Sequence, residues 1–169
     1  MSEFDVDGGD LSGPIPLELV TCFPQIDEID LSYNQITGSI PLELGTLTNL
    51  DELKLEHNLL TGTIPAELSN MTELKWLRFA DNKLHGTVPS EFAKQSDLIV
   101  QLTFDGNQDV EGNLHMLANH HLINAGTANT KLCGMVPVGV RFAHGFDYHG
   151  TGLGLPCPEE IAQGWVDQP

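Results

Sequence analysis

The chain is poor in positive charge. Seven Lys and Arg stand against 24 Asp and Glu among 169 residues, giving a formal net charge of −17. Residues 1–53 hold eleven of the acidic residues and no Lys or Arg. That lack excludes nucleic acid as a partner, because phosphate binding needs a cationic surface. It leaves two readings open, a solvated acidic exterior or a docking face for a basic partner. Long apolar runs are also missing, and without roughly 18 consecutive apolar residues no membrane-spanning segment is expected. Met1 to Asp10 is acidic and lacks an apolar core, so no signal peptide is expected there. Cysteine is scarce: Cys22, Cys133 and Cys157 are the three. Cys22 has no near neighbour to pair with, and is expected to be a small buried apolar filler or to pair with a segment outside the chain.

What the chain has is a repeat. Leu50-x-x-Leu53-x-Leu55-x-x-Asn58-x-Leu60-x-Gly62-x-Ile64-Pro65 returns as Leu74-x-x-Leu77-x-Phe79-x-x-Asn82-x-Leu84-x-Gly86-x-Val88-Pro89. Before both stands Ile26-x-x-Ile29-x-Leu31-x-x-Asn34-x-Ile36-x-Gly38-x-Ile40-Pro41. A fixed period of this size predicts a solenoid, in which stacked coils bury an apolar column that no single coil could bury. The L-x-L core alternates with period two, as a short strand does. Asn34, Asn58, Asn82 and Asn107 occupy the ninth position, where an amide with donors and acceptors can satisfy turn backbone away from water. That role accounts for the Asn ladder without any catalytic one. Glycine and proline follow at the second corner, fixing the turn before the next short segment.

The phrase Leu60-Thr61-Gly62-Thr63-Ile64-Pro65-Ala66-Glu67-Leu68 resembles the plant-type leucine-rich repeat family, which includes receptor-kinase ectodomains, receptor-like proteins and polygalacturonase inhibitors, with similar repeats in diatoms. The resemblance covers residues 1–137 and is sharpest over 26–97. It implies a right-handed α/β solenoid of about six coils with a parallel sheet on the concave face. Residues 138–169 read as an irregular closing segment. The resemblance also implies an extracellular or cell-surface setting and a non-catalytic recognition role toward a protein, peptide or glycan. Two alternatives stay open: a fragment of a receptor-like kinase whose kinase lies outside this chain, and an ice-binding protein using a hydroxyl ladder of Thr37, Ser39, Thr61, Thr63 and Thr87. Family members normally start with a capping segment. Met1 to Gly9 falls in the coil register with Gly9 at the Asn position, so it is expected either to follow an upstream segment or to fray.

Cys133 and Cys157 are 24 residues apart, one coil. Equivalent positions on neighbouring coils lie about 4.8 Å apart, within reach of a disulfide. Plant-type repeats close with a similar Leu-Cys-Gly followed by a second Cys, and a disulfide here implies an oxidising compartment. Asn70-Met71-Thr72 is a glycosylation sequon. The histidines His115, His120, His121, His144 and His149 lie in the irregular third and match no metal spacing, so neither metal nor cofactor is expected. No nucleophile–base or paired-carboxylate arrangement recurs where a cleft would form, and the chain reads as not an enzyme.

Surfaces remain. In the strand formula the residues between the leucines face outward on the concave side. They give the expected binding set Glu28, Asp30, Tyr33, Glu52, Lys54, Glu56, His57, Trp76, Arg78, Asp81, Gln101, Thr103 and Asp105. Lys54 and Arg78 form a small cationic step in an otherwise acidic lattice, with Trp76 as a central aromatic anchor.

Overall fold

The computed structural model describes residues 3–94, 99–113, 124–134 and 151–153. In chain order the first strands are β1 (Glu3–Asp5), β2 (Ser12–Gly13), β3 (Glu28–Asp30), β4 (Gln35–Ile36), β5 (Glu52–Lys54), β6 (Thr61–Gly62) and β7 (Trp76–Arg78). They are followed by β8 (Lys83–Thr87), β9 (Gln101–Thr103), β10 (Asp109–Asn113), β11 (Asn124–Gly126), β12 (Lys131–Gly134) and β13 (Gly152–Leu153). The odd strands β1-β3-β5-β7-β9-β11 form one six-stranded parallel sheet, the concave face of a leucine-rich solenoid. β1 pairs with β3 along Glu3–Glu28, Phe4–Ile29 and Asp5–Asp30, so residues 3–5 are part of the stack and not frayed.

The apolar positions of the repeat fill the interior. Leu50, Leu53, Leu55, Leu60, Leu77 and Phe79 are fully buried, and the column runs from Ile15 to Leu132. The aromatic rings of Phe79 and Phe104 stack at 6.0 Å between adjacent coils. No helix of the described residues is long and apolar enough to cross a membrane.

A second parallel ladder was not foreseen. The glycine-containing corners form β6-β8-β10-β12-β13, with β2-β4 beside them. Thr61 N–H donates to Gly38 O at 2.8 Å and Leu59 N–H to Ile36 O at 2.9 Å, which carries the hydrogen bonding across the gap between the two groups. Gly62 sits at φ +83, with a would-be Cβ 3.2 Å from Ser39, so only glycine turns this corner without strain. Each corner then enters a 3₁₀ turn in coils two to four, at Leu42–Thr46, Ala66–Asn70 and Ser90–Lys94. In the first coil the segment is instead α1 (Glu18–Cys22). A 3₁₀ turn repeats every three residues, which is how Leu44 and Leu47 both point into the core. An α-turn advances only 300° in three residues, so with Leu19 buried Cys22 is swung outward. Cys22 is exposed and free, contrary to its expected role as a buried filler.

The eighth position of every coil is left-handed. Gly8, Tyr33, His57, Asp81, Gly106 and Asn129 all have φ between 51 and 76. A non-glycine residue there costs on the order of 1 kcal/mol, and the hydrogen bonds from Tyr33 N to Glu56 O and from His57 N to Ala80 O hold it in place.

The ninth-position amide stitches neighbouring coils. Asn58 Nδ2 donates to Leu31 O (2.9 Å) in the preceding coil and to Leu55 O (3.2 Å) in its own turn, while its Oδ1 accepts from Ile36 N at 2.9 Å. Asn34, Asn82 and Asn107 repeat the arrangement, with Leu11, Leu60 and Leu84 N–H as donors to their Oδ1. In the sixth coil Thr130 takes this place. Its hydroxyl donates to Thr127 O at 2.7 Å, within its own coil.

Candidate functional site

The concave face is built from the outward residues of β3, β5, β7 and β9. Cross-strand register places Glu28, Glu52, Trp76 and Gln101 in one row, and Asp30, Lys54, Arg78 and Thr103 in the next. These rows are less open than the alternation suggests. Asp30 and Thr103 are buried, and Glu28, Glu52, Lys54, Glu56, Trp76, Arg78, Gln101 and Asp105 are half-buried. Tyr33, His57 and Asp81 are exposed at the rim.

The cations are not free. Lys54 Nζ lies 2.7 Å from Glu28 Oε1 and 3.3 Å from both Asp30 Oδ2 and Glu52 Oε1. Arg78 bridges Glu52 at 3.5 Å and Glu56 at 3.7 Å. Burial alone would lower the Lys54 pKa, but hydrogen bonds to Glu28 and Asp30 and the Glu52 charge outweigh it and raise it. Burial also pushes the Asp30 carboxyl up, and is outweighed by the Ser32 hydroxyl (2.6 Å), the Ser32 N–H and Lys54, so Asp30 ends below the ordinary value. For Glu52 burial wins over Lys54 and raises it. Glu56 is likewise raised, first by burial. Two cations among four carboxylates leave the face anionic, so the expected cationic step is absorbed into an ion-pair network.

Two atoms of this network are buried without a hydrogen-bond partner: Glu56 Oε2, an acceptor when ionised, and Arg78 Nε, a donor. In the row next to Arg78, Trp76 is half-buried, with Lys75 Nζ 5.7 Å from its ring centroid. Lys75, which the alternation pattern does not single out, also reaches Asp51 at 3.3 Å. Along the rim the Tyr33 and His57 rings stack at 4.3 Å, and His57 Nδ1 lies 3.3 Å from Asp81 Oδ2.

The remaining expected positions are scattered. Asn70 is exposed at the end of its 3₁₀ turn, away from the concave strands. Cys133 is disulfide-bonded, while Cys157 lies outside the described residues, as do His115, His120, His121, His144 and His149. The Thr37, Ser39, Thr61, Thr63 and Thr87 hydroxyl row is exposed on the second ladder. Its neighbours there are Lys83 beside Thr61, His85 beside Asp109, and Glu111 beside Thr87.

With this geometry in hand, sequence comparison adds the family: the Leucine Rich Repeat pattern matches residues 25–47, 49–71 and 73–95. The chain is a leucine-rich repeat protein. No match was found among curated proteins. Among solved structures, this leucine-rich repeat chain is similar to the plant peptide hormone receptor RGFR1 in complex with RGF2, at 33% identity and TM-score 0.75, over 80% of this chain and 22% of that one. It is also similar to the ectodomain of the membrane receptor kinase GASSHO1/SCHENGEN3 from Arabidopsis thaliana, in complex with CASPARIAN STRIP INTEGRITY FACTOR 2. That match is 33% identical with TM-score 0.69, over 82% of this chain and 16% of that one. The BIR2 ectodomain from the same plant matches at 33% identity and TM-score 0.57, over 64% of this chain and 56% of that one. The leucine-rich repeat chain thus spans a minor to middling share of these relatives. It is an ectodomain-like module of a family whose recognition domains are typically non-catalytic.

Proposed function

We propose that this leucine-rich repeat module is a non-catalytic binder of a basic extended peptide, held along the concave sheet. The observation that carries the reading is the anionic excess of the concave floor, where Glu28, Asp30, Glu52 and Glu56 surround two cations, Lys54 and Arg78. An extended peptide bearing Lys or Arg would neutralise that excess. Trp76, in the row next to Lys54 and Arg78, supplies an aromatic surface for an apolar side chain. The acidic excess, which extends to Glu3 and Asp5 at the N-terminal edge of the sheet, favours Lys or Arg in the ligand toward that end. The similarity to RGFR1, a plant peptide hormone receptor, supports a peptide as the class of ligand. An extracellular setting and a Cys133–Cys157 disulfide belong to this proposal, since disulfides persist in oxidising compartments. The hydroxyl row carries no second reading, because charged residues interrupt it.

The test is to pan a random peptide library against the chain and measure the selected sequences. They should be rich in Lys and Arg, and Trp76→Ala should weaken them at least about tenfold. Replacing Glu28 and Asp30 by Gln and Asn should mainly slow association and flatten its salt dependence. Glu73→Gln combined with Glu111→Gln, both exposed and outside the concave rows, is the control of equal charge change. Selected peptides that bind Trp76→Ala as tightly as the parent would place the site elsewhere.

A further inference from the structure

We propose that the Ile-Pro edge of the first three coils is a second docking surface, a groove for a basic amphipathic helix of a partner protein. The edge reads Ile15-Pro16-Leu17-Glu18-Leu19, Ile40-Pro41-Leu42-Glu43-Leu44 and Ile64-Pro65-Ala66-Glu67-Leu68. The outer residues of each phrase belong to the core: Ile15, Leu19, Ile40, Leu44, Ile64 and Leu68 are all buried. The middle residue is not. Leu17 is 48% and Leu42 53% exposed, among the largest apolar exposures of the described residues. The fold does not require leucine there, because Ala66 and Ser90 occupy the same position in coils three and four.

Leu17 and Leu42 open onto a groove of about 1190 Å³ walled by Pro14, Pro16, Pro41 and Pro65. Proline has no N–H to offer, so the walls are stiff and apolar and cannot extend a sheet onto an incoming strand. Beside the leucines stand Glu18, Glu43 and Glu67, exposed, one per coil, and none in an ion pair among the described residues. No Lys or Arg lines the groove. An apolar strip flanked by uncompensated carboxylates is complementary to a segment with an apolar stripe flanked by cations.

The pitch selects a helix. Stacked strands are about 4.8 Å apart, so three coils span about 9.6 Å. On a helix, residues i, i+3 and i+7 rise by about 4.5 and 10.5 Å, in step with the carboxylates. On an extended strand, same-face residues are about 6.8 Å apart and fall out of step after one coil.

A labelled synthetic peptide of about 15 residues, with leucines along one face and lysines at i, i+3 and i+7, tests this by fluorescence anisotropy near 0.15 M salt. A scrambled peptide of the same composition is the comparison. The amphipathic peptide should bind at least about tenfold more tightly than the scramble, and Leu42→Ser should remove at least about half of that advantage in free energy. Neutralising Glu18, Glu43 and Glu67 together to Gln should weaken it by a further factor of about ten or more. Trp76→Ala should leave the advantage over the scramble unchanged, which separates failure here from failure of the concave site. No binding to the parent, equal binding of the two peptides, or insensitivity to Leu42→Ser would each overturn the proposal. So would a loss in Trp76→Ala as large as that in Leu42→Ser.

Discussion

On the concave sheet Glu28, Asp30, Glu52 and Glu56 share Lys54 and Arg78, whereas along the Ile-Pro edge Glu18, Glu43 and Glu67 stand one coil apart with no cation lining their groove. Coils two and three carry both rows, at the same spacing. The difference lies in solvent. Two like charges about 5 Å apart in water repel by less than about 1 kcal/mol, so an exposed edge tolerates a repeated carboxylate. On the concave face side chains of adjacent strands cover one another, and a half-buried carboxylate needs a partner. Charge there is coupled to the fold; charge on the edge is available to a ligand.

Removing what both faces rest on should have the largest effect. Leu55 is fully buried between coils, and Leu55→Ala should cost about 2–5 kcal/mol in denaturant unfolding, because stacked coils cannot collapse around the cavity. A loss below about 1 kcal/mol would put the residue outside the shared core.

Next comes the charge contrast itself. Lys54→Met leaves Glu28, Asp30 and Glu52 facing one another, and of these three Arg78 reaches Glu52 alone, so the change should destabilise by about 2 kcal/mol, less than for a fully enclosed pair since water reaches the site. The triple Gln variant of Glu18, Glu43 and Glu67 should keep the parent stability within about 0.5 kcal/mol. Equal losses in the two variants would erase the comparison.

The smallest effect concerns pH. A carboxyl raised above its unfolded value costs stability once pH exceeds the folded pKa, and returns it as pH falls toward the unfolded one. Glu52 and Glu56 are of this kind, so acidification from neutral toward pH 4.5 should stabilise the concave face. Asp30 is lowered, so its contribution is full above pH 3.8 and is lost below. General relief of the −17 net charge acts in the same direction as Glu52 and Glu56. Glu56→Gln isolates the local part: it should flatten the neutral-to-acid rise by about 0.5 kcal/mol and leave the loss at lower pH in place. An unchanged profile would mean that Glu56 titrates alike in both states.

The interior was legible because a buried position admits few residue types, and the repeat states them three times over, from Ile26, Ile29 and Leu31 to Leu74, Leu77 and Phe79. The second ladder was not, since Thr61-Gly62 is too short to show alternation and its pairing is carried by backbone. Openness was also misjudged at Asp30 and Thr103, where long neighbouring side chains close over a short one. The capture of Lys54 had a visible signal, for Asp30 and Glu28 lie one coil away in adjacent rows. Thr130 in place of the ninth-position Asn had a weaker one, because the sixth coil lacks the leucines that set the register.

The Asn stitching has a direction. Asn58 Oδ1 receives the Ile36 N–H and its amide reaches Leu31 O, both in the coil made before it; Asn82 serves Leu60 and Leu55, and Asn107 serves Leu84 and Phe79. Each coil is therefore incomplete until its successor emerges, and then becomes the template on which that successor closes. Growth from the N-terminus can proceed as a zipper, every turn locking the last, with contacts that are never more than one coil apart in sequence. Unzipping runs the opposite way. It should begin where the stitch fails to reach back, at Thr130, and stop at the first intact amide, Asn107.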